Sequence, residues 1–251
     1  KPRKKFAHKG TYGHAVFISG SYGMMGAAVL GAKACLKSGV GKLTCVIPEF
    51  GYNILQTTVP EAMCRVSGEK FILSANEIEK FDAVGIGPGI GLVPTHASLL
   101  KEIFTAAAKP MLIDADALNI IAQNKKLLSL IPPASILTPH PKELERLLGS
   151  WHSEEEKWEK TIAFSKKYNV IVVMKGAPTY IIQQDTIYQN TTGNPALATA
   201  GSGDVLTGMT TSLLAQGYQP IEAAVLGVYL HGLTADIALP ETGYQSFIAS
   251  D

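Results

Sequence analysis

The sequence predicts an α/β fold, with a mostly parallel central sheet covered by helices on both faces. Two observations carry that reading. Short apolar runs alternate with helical patterns along almost the whole chain, as strand–helix–strand units require. Several of the runs are apolar at nearly every position, which suits strands covered on both sides. The 251 residues and 46% hydrophobic content suffice for a substantial core. No internal repeat or low-complexity linker divides them, so residues 1–251 read as a single domain.

Each element follows in order. A polar, glycine-bearing lead-in over residues 8–14 precedes a short buried strand at 15–19. Gly20, Gly23 and Gly26 then open a small-residue helix reaching Ser38. This is dinucleotide-fold grammar, but the spacing is GxxGxxG and no acidic residue closes a second strand about 20 positions on. Close packing of the helix on the sheet explains these glycines equally well. Residues 42–47 (KLTCVI) form a second strand stopped by Pro48. Residues 83–86 form a third, which runs into Gly87-Pro88-Gly89-Ile90-Gly91. That rigid turn exposes amides at a strand's carboxyl end, where ligands sit in open α/β sheets; a tight turn alone would look the same.

A helix over 97–108 and a strand over 110–113 follow, closed by Asp114 and Asp116. These two carboxylates suit a metal or a sugar hydroxyl, and equally suit capping the next helix. The strand at 136–138 meets Pro139-His140-Pro141-Lys142-Glu143. The prolines fix the loop, His140 is a ligand candidate, and Glu143 opens a helix running to Leu148. The Glu/Lys cluster after Trp151 reads as the solvated face of a helix. The apolar strand at 170–174 ends in Lys175, and 180–182 returns as another strand. Lys175 therefore sits at a hairpin or crossover, placed to meet a phosphate as a point charge. Residues 221–239 are apolar nearly all round and predict a buried helix, with His231 in it as a satisfied core histidine.

The stretch over residues 190–215 (NTTGNPALATAGSGDVLTGMTTSLLA) organises the rest. Small, flexible residues at 200–203 give way to Val205, Leu206, Met209, Leu213 and Leu214 at helical spacing, so a helix begins near Asp204. A glycine-rich turn opening a helix leaves unpaired amides pointing one way, at the positive end of the helix dipole, and suits a phosphate. Gly201 and Gly203 let the backbone approach a ligand closely. Asp204 either stabilises the first turn or, beside a bound phosphate, handles a proton or a metal.

A formal net charge of +1 gives no global pull towards nucleic acid or acidic membranes. No stretch approaches the roughly 18 uninterrupted apolar residues of a membrane span. Neither kind of partner is expected. Cys35, Cys45 and Cys64 lack CxxC spacing, which points to reduced thiols in or near the core and to a cytoplasmic protein. Lys1-Pro2-Arg3-Lys4-Lys5 reads as a solvated linker rather than a targeting patch. With no initiating Met, the chain is expected to be a piece of a longer one.

Taken together, HKGTYGHAVFISGSYGMMGAA, GIGPGIG, DADALN, LTPHPKE, VVMKGAPT and GNPALATAGSGDVLTGM closely resemble the ADP- or ATP-dependent (S)-NAD(P)H-hydrate dehydratase family. This is a branch of the ribokinase-like superfamily, and the resemblance covers almost the whole chain. It implies a three-layer α/β/α sandwich and a metabolite-repair enzyme using ADP or ATP, with Mg²⁺, to return hydrated NADH or NADPH to the normal cofactor. Phosphorylation of the hydrate hydroxyl turns a poor leaving group into a good one. By the same resemblance, Asp204 is the catalytic base, and Ala200, Gly201, Ser202 and Gly203 form the anion hole. Lys175, Gly176, Ala177, Pro178, Thr179 and Asn194, with Gly203, bind the nucleotide. Ala27, Gly87, Gly89 and His140, with Asp204, contact the hydrate. The resemblance names no metal ligands. It also implies a homotetramer and an epimerase domain ahead of this one. The family usually has GGTGD where this chain has Ala200-Gly201-Ser202-Gly203-Asp204; Ser202 keeps the hydroxyl, and activity is expected to survive both changes. A ribokinase-like small-molecule kinase and a non-catalytic nucleotide-binding regulatory module are the alternatives. A Rossmann dehydrogenase is a distant further reading.

Overall fold

A computed structural model describes residues 5–251, so most of the basic start expected to be a linker lies outside the described residues. One nine-stranded sheet forms the middle layer. Its strands are β1 (His14–Ile18), β2 (Lys42–Ile47), β3 (Met63–Val66), β4 (Ala83–Ile86), β5 (Leu112–Ile113), β6 (Ile136–Leu137), β7 (Ile171–Met174), β8 (Tyr180–Gln183) and β9 (Thr186–Gln189). In space they run β3-β2-β1-β4-β5-β6-β7-β8-β9. The pairs from β3 to β7 are all parallel, whereas β7-β8-β9 is an antiparallel meander at one edge. Lys175 therefore lies at a hairpin, where the sequence left hairpin and crossover open.

Strand periodicity divides the core in two. Along β1, Ala15 and Phe17 enter one apolar cluster and Val16 and Ile18 the other, because successive side chains leave opposite faces. The Phe17 face is covered by α1 (Met25–Lys37), α2 (Tyr52–Thr58), α7 (Ser202–Ala215) and α8 (Pro220–Ser246). The Val16 face is covered by α3 (His96–Ala106), α4 (Ala115–Gln123), α5 (Pro141–Leu148) and α6 (Glu154–Tyr168). This is the mostly parallel α/β fold that the sequence predicts, in three layers.

Two differences have plain causes. The third strand of the chain is β3 rather than 83–86; its residues are half-buried or exposed, so no apolar run announces it. Helix α8 is also less buried than expected, with a break at Gly243 (φ +67°). By length and composition it could cross a membrane. It packs against α7, β7, β8 and the short turn of helix at Pro195–Leu197.

Helices α1 and α7 lie side by side with almost no space between backbones. A Cβ on Gly208 would stand 2.0 Å from the Gly31 carbonyl oxygen, and one on Gly31 would stand 2.3 Å from the Phe17 ring. The glycines hold α7 close over the sheet, and its N-terminus reaches the carboxyl ends of the central strands.

Candidate active site

The loops that follow β1, β4, β5, β6 and β7 meet along one edge of the sheet. Backbone hydrogen bonds stitch them together. Gly20 donates to the Pro88 carbonyl at 2.9 Å, Asp114 to Ile86 at 3.0 Å, and Lys175 to Pro139 at 3.0 Å. The glycine turns, the DADALN, TPHPKE and KGAPT segments and the start of α7 are thus gathered where open parallel sheets place their ligands.

The turn before α7 is bent by Gly201, at φ +87°, a conformation other residues adopt only under strain. Val205 donates to the Gly201 carbonyl at 3.1 Å and closes the first turn. Among the described residues, the amides of Gly203 and Asp204 meet no acceptor, and both lie at the positive end of the helix dipole. Asp204 joins no ion pair or side-chain hydrogen bond there. Burial first, then the neighbouring Asp114 charge, push its carboxyl up to about 6, while Lys175 opposes them. A carboxylate poised near neutrality and free of partners is what a general base needs.

Asp114 differs sharply. It stands at the N-terminus of α4, but its side chain does not cap the helix. At 1% exposure it instead accepts from Lys175 Nζ at 2.9 Å on Oδ1 and from Thr207 Oγ1 at 2.7 Å on Oδ2. Burial pushes the Lys175 ammonium down, but Asp114, Glu143 and Asp204 outweigh it and hold the group above its ordinary range. A Cβ on Gly203 would lie 3.5 Å from Lys175 Nζ, so this cation sits beside the amide turn. Asp116 turns away, its Oδ2 accepting from the Gly91 amide at 2.8 Å.

A cleft of about 1010 Å³ opens from this turn, lined by residues 175–179, Asn194, Ser202, Gly203 and His231. All the residues assigned above to the nucleotide face it. The Thr179 hydroxyl donates to the Gly176 carbonyl at 3.0 Å and shapes the hairpin. Asn194 is largely committed: its Oδ1 accepts from the Ala196 amide at 3.0 Å and its Nδ2 donates to Asp236 at 2.9 Å. One amide hydrogen is left for a phosphate. Asp236 also accepts from the Gly193 amide at 2.8 Å, so α8 clamps the cleft's outer wall.

On the other side, Gly89 and Ala27 are neighbours. A Cβ on Gly89 would lie 3.1 Å from that of Ala27 and 3.0 Å from that of Met24. Gly87 serves packing, since a Cβ there would meet the Asp114 carbonyl oxygen at 1.8 Å. His140 caps α5: Nδ1 accepts from the Lys142 and Glu143 amides, and Nε2 lies 3.3 Å from Glu143 Oε1. Burial, then the Lys175 and Arg146 charges, lower its pKa and keep the ring neutral. Glu143 is itself buried and pushed up by burial, against the pull of Lys175. Nothing in the sequence marks Thr207 or Asp236, because each is defined by a partner distant in the chain, nor the burial of Glu143, which depends on depth alone.

Among the described residues, no three His, Cys, Asp or Glu side chains cluster to hold a metal.

The fold and the open glycine turn at the start of α7 define the class: the chain is a ribokinase-like α/β protein. It superimposes on a ribokinase-like superfamily protein from Enterococcus faecalis V583 with a TM-score of 0.85, at 29% identity over 96% of this chain and 84% of the other. The chain belongs to the NAD(P)H-hydrate dehydratase family, whose model matches residues 15–250. It is 39% identical to the ADP-dependent (S)-NAD(P)H-hydrate dehydratase of Neisseria meningitidis serogroup B, over 97% of this chain and 83% of that protein. It is 36% identical to the bifunctional NAD(P)H-hydrate repair enzyme Nnr of Moorella thermoacetica, over 99% of this chain but 49% of that protein. The chain thus spans about half the length of such bifunctional relatives. The Bacillus subtilis ADP/ATP-dependent NAD(P)H-hydrate dehydratase, co-crystallised with ATP/Mg²⁺, superimposes with a TM-score of 0.80 at 29% identity, over 99% of this chain and 88% of that one.

Proposed function

We propose that this protein dehydrates the S form of hydrated NADH or NADPH at the expense of ADP or ATP, restoring the reduced cofactor. The observation that carries the reading is the pairing of unpartnered amides at the start of α7 with an unpaired Asp204 carboxyl raised to about 6. The terminal phosphoryl group lies against the amides of the 200–203 turn, with Lys175 beside it. Asp204 takes the proton from the hydrate hydroxyl as its oxygen attacks phosphorus, and the shortened nucleotide leaves. Phosphate then departs with the electrons of the carbon–oxygen bond, a proton is lost from the adjacent ring carbon, and the ring double bond returns. A positioned base contributes about 10²–10⁴ in rate and one preorganised anion-hole donor about 10²–10³.

Residues 175–179 and Asn194 hold the nucleotide, and Ala27, Gly87, Gly89 and His140 flank the hydrate. Mg²⁺, when bound, supplies charge compensation between the phosphates. The relatives named for ADP-dependent NAD(P)H-hydrate dehydration and the ATP/Mg²⁺ complex support these assignments. The free thiols of Cys35, Cys45 and Cys64 support a reducing, cytoplasmic setting. The resemblance supports a homotetramer, which sedimentation velocity would test.

The decisive assay mixes the protein with S-hydrated NADH, Mg²⁺ and ADP or ATP. Reduced-nicotinamide absorbance rises as phosphate is released. A stable phosphorylated product without that rise would make the protein a kinase instead, and nucleotide binding without turnover would make it a regulatory module.

A further inference from the structure

The sequence marks His231 as a core histidine, yet it sits beside the phosphate turn. Its Nε2 lies 3.2 Å from the hydroxyl oxygen of Ser202, the first residue of α7. Ser202 is 8% exposed. The two side chains, with Leu197, line both the nucleotide cleft and a second cavity of about 230 Å³ behind it. They form part of the wall between the two. We infer that His231 is a positioning residue for the phosphoryl group: its Nε2–H donates to Ser202 Oγ and leaves the Ser202 proton free to point into the cleft.

The tautomer decides the matter. A serine hydroxyl has one hydrogen. If Nε2 accepted it, none would remain for a phosphate oxygen. Burial, above all, lowers the imidazole pKa to about 4, while a hydrogen bond to the Ser202 backbone pulls it up. The ring is therefore neutral at pH 7 and carries one N–H; placed on Nε2, 3.2 Å from Ser202 Oγ, that hydrogen meets the hydroxyl oxygen and spares its proton. Neighbours on α8 brace the same region. Thr192 donates from Oγ1 to the Tyr229 carbonyl at 2.7 Å, and a Cβ on Gly232 would stand 2.3 Å from that hydroxyl. Helix α8 thereby holds His231 at a fixed height against the turn.

This inference rests on the proposed phosphoryl chemistry, and a double-mutant cycle separates the two. Ser202→Ala, His231→Leu and the double variant are compared for ADP affinity by calorimetry in Mg²⁺ buffer and for kcat/KM on S-hydrated NADH. Melting curves check that each folds. Each single change weakens ADP binding about tenfold, and the double variant is worse than Ser202→Ala by less than about twofold. His231→Gln, whose amide nitrogen reaches the place of Nε2, retains near wild-type affinity; His231→Asn, whose amide falls short, does not. Independent, additive losses, or a Gln variant as weak as Leu, would overturn the inference. A wild type that binds ADP but never restores NADH would defeat the functional reading alone, and the cycle in ADP affinity would still decide the role of His231.

Discussion

Two glycine-rich turns open two helices that lie side by side, and they do different work. Both α1 and α7 have glycine as their second residue, Gly26 and Gly203. A Cβ on Gly26 would meet nothing within 4 Å, and the residues around that turn (Met24, Ala27, Gly89) are apolar or small. A Cβ on Gly203 would enter the space shared by Lys175 Nζ and Asp114 Oδ2. Glycine content does not separate a charged turn from an uncharged one. What separates them is the charge brought up from elsewhere: Lys175 from the end of β7, and Asp114 from the end of β5.

The largest effect expected from breaking this contrast is at Asp204. Asp204→Asn keeps the turn and its amides, so ADP affinity measured by calorimetry stays near wild type while kcat falls by about 10²–10⁴. Next comes Lys175→Met, which strips the α7 turn of its cation and leaves the 1%-exposed Asp114 carboxylate with Thr207 alone. Denaturant titration should show a loss of about 3–5 kcal/mol, with weaker nucleotide binding beside it. Gly208→Val tests the packing shared by both helices. Its side chain would drive into the Gly31 backbone, and a loss of about 1–3 kcal/mol in the same titration is expected. The matched pair is the subtlest probe. Gly203→Ala should cost about tenfold in ADP affinity, the order of one phosphate hydrogen bond, at unchanged or slightly higher melting temperature. Gly26→Ala should leave affinity alone and stabilise the helix by about 0.5–1 kcal/mol.

The layers of this fold were legible because buried parallel strands are apolar throughout, as IVVM at 171–174 and AVGI at 83–86 show. Strand β3 (MCRV) was not, since an exposed edge strand is held by its ladder to β2 rather than by its own apolar side chains. At the site, turn chemistry and short motifs marked Asp204, Lys175 and Gly89 as candidates. They could not show that Asp114 would be tied to Lys175, 61 positions away, and to Thr207, 93 away. Nor could they show that His231 would reach Ser202, 29 positions away. Pairings of that kind are products of the assembled sheet and leave no trace in local spacing.

The central claim is that an unpaired Asp204, lifted by burial, takes the proton. The pH dependence of kcat/KM reports ionisations of the free enzyme. A base must be ionised to act, so activity should be lost as pH falls through the Asp204 pKa. The account predicts an acid limb centred near pH 6. Lys175→Met should move the limb upward, because a cation that favours the carboxylate is gone. Asp114→Asn should move it downward, because a like charge is gone. A wild-type limb near pH 4, or a limb that neither substitution moves, would contradict the account.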